Sequence, residues 1–141
     1  MANTIYADIN IIFLSKINDY SLNILEDTDL EDILKNYLIS SIPEFIYCVQ
    51  NLEDRNDTTN TFNIVLTTQE INILATIMIK QWLNPKTNNL ELLKNIFKTR
   101  EFDLFSNANL LKELQNLRTN LDKEIITLMT LYHFVYGGGA S

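Results

Sequence analysis

Apolar residues recur every three to four positions along most of this chain, and the recurrence divides it into helical segments. Ile5, Ile9, Ile12, Phe13 and Ile17 share a helical spacing over about residues 5–17, with Asp8, Asn10 and Lys16 elsewhere. Asn18-Asp19 breaks the pattern. A second stripe, Leu30, Ile33, Leu34, Tyr37, Leu38 and Ser41, begins just after Thr28. Thr28 and Glu31 have capping-box spacing, a hydroxyl for the N–H three residues on and a carboxylate reaching back. Pro43 is expected to end or kink this helix near Ile42. A further turn or two can run from Pro43 to about Gln50, because proline is tolerated in a first helical turn.

Residues 51–63, NLEDRNDTTNTFN, form the most polar stretch and are expected to be a long exposed loop. Such a loop inside a compact domain points to a contact role. It lacks the apolar residues to hold itself down, so mobility in the isolated subunit and ordering in an assembly are expected.

Leu66-Thr67-Thr68-Gln69-Glu70-Ile71 carries the clearest local signal. Thr67 and Glu70 form a capping box, and Leu66 and Ile71 occupy the staple positions. The helix that follows, to about Leu83, is apolar on nearly every side, so it is either central in the core or covered by a second chain. Asn84-Pro85 is expected to stop it. A short helix from about Leu90 to Lys98 follows, with Asn88 as cap. Thr99 to Phe105 alternates polar and apolar, as a strand or a tight loop would. The last helix should be the longest, from Asn107 to about Tyr136 and roughly 45 Å long. Ser106 would cap it, and Leu110, Leu114, Leu117, Leu121, Ile125, Leu128 and Tyr132 form its stripe. Gly137 to Ser141 reads as a flexible tail.

These elements predict an all-α fold: one domain over residues 1–136, an antiparallel bundle of roughly three to five helices with a long polar loop and a long C-terminal helix. The apolar content of 46% is globular, not disordered. The net charge of −7 argues against a nucleic-acid or anionic-membrane surface, which needs clustered Lys and Arg, although it suits a protein that DNA passes without sticking. The N-terminus has no signal-peptide pattern and no stretch approaches a membrane span, so synthesis in the cytoplasm is expected.

Candidate chemistry is sparse. Cys48 is the only cysteine and His133 the only histidine, which leaves no disulfide, no credible zinc site and no nucleophile–histidine pair. Cys48 reads as a small buried hydrophobe, and His133 as a helix-end residue favoured by the dipole. All three glycines fall in the tail, so no phosphate-cradling loop exists. Asp27, Asp29, Glu31 and Asp32 suit a helix start. Glu53, Asp54 and Asp57 flank Arg55 without the glycine and terminal glutamate of a calcium loop. No catalytic residue, cofactor or metal is expected, and no enzyme activity. Most aromatics, Tyr37, Phe45, Tyr47, Tyr132, Phe134 and Tyr136 among them, read as core. Phe102 and Phe105, in a non-helical segment, are interface candidates, together with Trp82, Arg55 and Phe62.

A longer pattern joins several segments: Phe62-Asn63 before Leu66-Thr67, Glu70-Ile71-x-Ile73-Leu74-Ala75, Gln81-Trp82-Leu83-x-Pro85, Glu91-Leu92-Leu93-Lys94, Phe102-Asp103-x-Phe105-Ser106-x-Ala108-Asn109, Leu111, and Leu114-x-x-Leu117-Arg118. In order and spacing it resembles the small head–tail connector, or neck adaptor, proteins of low-GC tailed bacteriophages. The resemblance covers about residues 5–135 and is strongest from Phe62 to Arg118. It implies a structural virion protein made in the host cytoplasm and located in the neck. Such a protein forms a homo-oligomeric, dodecameric ring below the portal protein and above a tail-side neck protein, through which DNA passes without specific binding. Another tail-completion or stopper protein, or a helical protein-binding regulator, is the alternative.

Overall fold

Thr67 donates the cap on which the centre of the molecule is built. In the computed structural model, which describes residues 3–17, 27–96 and 104–137, the Thr67 Oγ1 accepts the Glu70 N–H at 3.1 Å and the Glu70 carboxylate accepts the Thr67 N–H at 2.8 Å. Both halves of the expected capping box are therefore made. The helix they start, α3, runs Thr68–Ile96. It is preceded by α1 (Tyr6–Lys16) and α2 (Asp27–Ser41) and followed by α4 (Leu104–Tyr132). A 3₁₀ turn, Ile42–Glu44, extends α2, and a π-helical turn, His133–Gly137, extends α4. The only strands among the described residues are two short antiparallel ones, β1 (Arg55–Asn56) and β2 (Thr61–Phe62). The fold is all-α, as the periodicity predicts.

The three other helices pack around α3. Ile73, Leu74, Ala75, Thr76, Ile77 and Met78 are buried in succession, which covers every side of the helix over more than a turn. The Thr76 hydroxyl satisfies itself on the Asn72 carbonyl at 2.7 Å. The all-round apolar helix is thus the core of the single subunit. Of the two expected places for this helix, central in the core or under a second chain, the structure shows the first. From α1, Ile9 and Phe13 reach this core, and from α2, Leu34 and Leu38. On α4 the expected stripe is buried at Leu121, Ile125 and Tyr132 and partly buried at Leu128, Met129 is buried beside it, and Leu117 is exposed.

Several boundaries differ from expectation. α3 does not stop at Asn84-Pro85 but continues to Ile96, absorbing most of the separate helix expected at Leu90–Lys98. A proline inside a helix removes one hydrogen bond and crowds the preceding turn, at about 3 kcal/mol, but it bends a helix as readily as it ends one. Thr28 and Ser106 both lie inside first turns, because α2 begins at Asp27 and α4 at Leu104. With 29 residues each, α3 and α4 are equally long. Pro43 sits within a single 3₁₀ turn that gives way to irregular chain, not to further helix. Of the expected strand or loop at Thr99 to Phe105, residues 99–103 lie outside the described residues, and Leu104 and Phe105 are helical.

The polar stretch 51–63 is anchored at both ends. Phe62 is fully buried and Leu52 nearly so, so two apolar side chains hold a segment expected to be unable to hold itself. The backbone closes it further. The Phe62 N–H donates to the Thr4 carbonyl at 2.9 Å, the Tyr6 N–H to the Asn60 carbonyl at 2.9 Å, and the Thr4 N–H to the Ile64 carbonyl at 3.1 Å. The residues before α1 thereby add an edge to the hairpin. Asn60 turns the chain in the left-handed region (φ 57°) that asparagine tolerates.

Candidate functional site

One buried polar knot, a second at the surface, and one apolar surface are the features from which a function can be built. The first knot centres on Glu70, in the first turn of α3 and only 1% exposed. One carboxylate oxygen accepts from the Thr67 N–H and, at 2.6 Å, from the Gln50 amide. The other accepts from the Tyr132 hydroxyl at 2.6 Å and from the Cys48 thiol at 3.7 Å. Four donors and the positive end of the helix dipole satisfy the carboxylate without a cation. The Tyr132 oxygen in turn accepts the Val49 N–H at 3.1 Å. Burial, and then the hydrogen bond to Glu70, hold the Tyr132 hydroxyl protonated far above its ordinary range. Burial, with the Glu70 carboxylate beside it, pushes the Cys48 thiol up to about 11, so it is not a thiolate nucleophile at neutral pH. The knot fixes the chain after α2, the start of α3 and the end of α4 against one another.

The second knot ties the hairpin to α1 and α2. The Tyr6 hydroxyl donates to Asp57 at 2.5 Å, Arg55 pairs with Asp57 at 3.1 Å and with Glu53 at 2.9 Å, and the Lys35 ammonium donates to the Asp57 carbonyl. The Tyr6 hydrogen bond, then Arg55, holds the Asp57 carboxyl below the usual carboxylate range. Arg55 is thus engaged within its own hairpin, where its guanidinium also donates to the Leu52 carbonyl at 3.0 Å. A third set of charges, Lys80 with Glu44 at 2.9 Å and Asp122 at 3.6 Å, clamps α3 between the 3₁₀ turn and α4.

Among the described residues no group of three or more His, Cys, Asp or Glu side chains is placed to hold a metal. The groove between α1 and α2, lined by Tyr6, Asn10, Leu14, Leu30 and Leu34, holds about 190 Å³, below the ~300–1,000 Å³ of ligand pockets. No helix among the described residues is long and apolar enough to cross a membrane.

The apolar surface lies at the end of the bundle that the Glu70 knot fixes. Ile46, Tyr47 and Val49 on the irregular chain after α2, and Phe134, Val135 and Tyr136 on the π-helical turn, are all exposed, Phe134 at 78%. The two segments adjoin: Tyr47 stacks on His133 with ring centroids 4.4 Å apart, and Phe45 meets Tyr132 edge-on at 5.1 Å. Residues 45–50 and 131–137 contain no Asp, Glu, Lys or Arg. Tyr47, Phe134 and Tyr136, expected in the core, are therefore surface. The sequence does carry a trace of this. Leu131 to Tyr136 is apolar or aromatic at nearly every position, more than one helix face can bury, and it lies at a helix end.

The expected interface residues fare differently. Phe62 is core, edge-on to Tyr6 at 5.1 Å, and cannot contact a partner without unfolding the hairpin. That is a correction. Arg55 is its cross-strand neighbour and is taken up by Glu53 and Asp57. Trp82 is half-buried on α3 and packs against the core. Phe102 lies outside the described residues, and so does the side chain of Phe105. Comparison of the chain with family models, with curated proteins and with solved structures gives no match in any of the three.

Proposed function

We propose that this chain is a structural subunit of a phage virion, a head–tail connector that forms a ring below the portal and continues the DNA channel toward the tail. The observation that carries the assembly role is the charge-free apolar surface at the end of the bundle, formed by Ile46, Tyr47, Val49, Phe134, Val135 and Tyr136. Surfaces of this kind on a small helical subunit mark contacts with other proteins. The place in the neck rests on the resemblance of residues 62–118 to connector proteins. The net charge of −7 supports a channel-side role, since an acidic wall does not trap exiting DNA. The reading needs no cofactor and no catalytic step. Electron microscopy of purified particles, with the chain labelled, tests it. Label at the portal vertex, and loss of the neck when the gene is deleted, is the expected result. Virions with an intact neck in the absence of the chain reject it.

A further inference from the structure

We infer that the apolar surface made by Ile46, Tyr47, Val49, Phe134, Val135 and Tyr136 is where one copy of this chain meets a second copy. The inference deepens the assembly reading above by naming the surface and its partner.

Area is the first argument. Aromatic side chains carry about 150–250 Å² each, so Phe134 at 78% exposure contributes on the order of 150 Å² and the six residues together about 600 Å². Spread over two segments joined by the Tyr47–His133 stack, that is comparable to the ~300–600 Å² of the largest apolar patch on a typical monomer. It approaches the ~800 Å² per partner of a stable protein interface. Composition points the same way: three aromatics, and charge absent from residues 45–50 and 131–137, match the centre of an interface.

Charge selects the partner. The chain has 18 acidic residues against 11 basic ones, yet none of them lies in the two stretches that carry this surface, residues 45–50 and 131–137. A surface for a basic partner would use those acids to attract it. A surface for a partner that is itself strongly acidic must keep them away, and a second copy, at −7, is such a partner. The contact is also prepared in advance. The Tyr47–His133 stack and the Val49 N–H to Tyr132 hydroxyl bond hold both segments in place in the single subunit, so little order is lost on contact.

Sedimentation equilibrium of the full chain and two variants tests the inference. The wild type should self-associate reversibly, and more tightly as NaCl screens the repulsion between two −7 copies. Phe134→Asp should weaken association at least about tenfold in Kd with helical circular dichroism unchanged, since the side chain is exposed. Val135→Asp is the substitute should Phe134→Asp lose helicity. Ile11→Asp, also exposed (62%) but on α1, should associate as the wild type does. A wild type that stays monomeric at its highest soluble concentration overturns the inference. So does association that weakens with salt, or that survives the substitutions in the patch. The two readings fail separately. A chain found in the neck whose assembly ignores Phe134→Asp loses only the surface, and a chain absent from virions that associates through it loses only the neck.

Discussion

The Tyr132 hydroxyl lies 2.6 Å from the Glu70 carboxylate, joining the end of α4 to the first turn of α3 across 62 residues of chain. Because the same oxygen accepts the Val49 N–H, this one side chain closes the bundle end beneath the apolar surface. Tyr132→Phe keeps the ring, and with it the edge contact to Phe45 at 5.1 Å. It removes one donor from a buried carboxylate and the acceptor from a backbone N–H. Leaving such groups unsatisfied costs about 1–3 kcal/mol each. Urea denaturation should show a loss of about 1–3 kcal/mol or somewhat more for this single oxygen. A loss below about 0.5 kcal/mol would mean that the carboxylate finds another donor.

Hydrogen exchange should divide the segment 51–63 in two. The Phe62 and Asn63 amides, bonded to the Thr4 and Asp54 carbonyls at 2.9 Å, should exchange slowly in the isolated subunit. The tip at Thr58 and Thr59, whose amides reach only the exposed Asn56 side chain, should exchange fast. Uniformly fast exchange would restore the picture of a free loop. In the same segment Phe62→Ala should cost about 3–5 kcal/mol, as loss of a buried aromatic does.

Acid should loosen the hairpin through Asp57. Its folded pKa is lowered, first by the Tyr6 hydrogen bond and then by Arg55, so the unfolded state binds a proton at higher pH than the folded state. The stabilisation is fully present above the ordinary carboxyl value of 3.8 and is lost as pH falls through the lower folded value. Chemical denaturation from pH 7 down to about pH 2 should therefore show wild type and Asp57→Asn converging at the acid end. A constant gap across that range would assign the effect to shape and not to charge.

The parts legible in sequence were those governed by local rules. Thr67 and Glu70 announce their cap because both partners lie within one helical turn. The core character of Ile73 to Met78 is readable because a helix apolar on every side has few places to be. What could not be read depended on distant partners. Glu70 looks like a capping residue and nothing more until Tyr132, Gln50 and Cys48 arrive from elsewhere in the chain. Phe62 sits in a polar run, and only the strand pairing with Arg55 and the edge contact with Tyr6 show that it points inward. Helical spacing also places Phe134 and Tyr136 in the core. Spacing cannot tell that the core has run out by the end of α4, where only Tyr132 still turns inward.

Pro85 decides between two descriptions of the middle of the chain. As a helix stop, it would be worth keeping: its fixed φ would favour the break, and replacing it would free the unfolded chain and destabilise the protein. In the structure α3 runs through residue 85 for a further eleven residues to Ile96. There proline can only cost, since it has no N–H to donate to the helix. Alanine supplies the missing donor and carries the highest helix propensity, a difference of up to about 3 kcal/mol in a helix interior, of which the greater freedom of the unfolded alanine chain takes back about 0.4–1 kcal/mol. Pro85→Ala should therefore stabilise the protein by about 1–2 kcal/mol in urea denaturation and raise the helical signal slightly. A destabilised variant would put the end of the helix back at Asn84 and return the segment from Leu90 to a separate element.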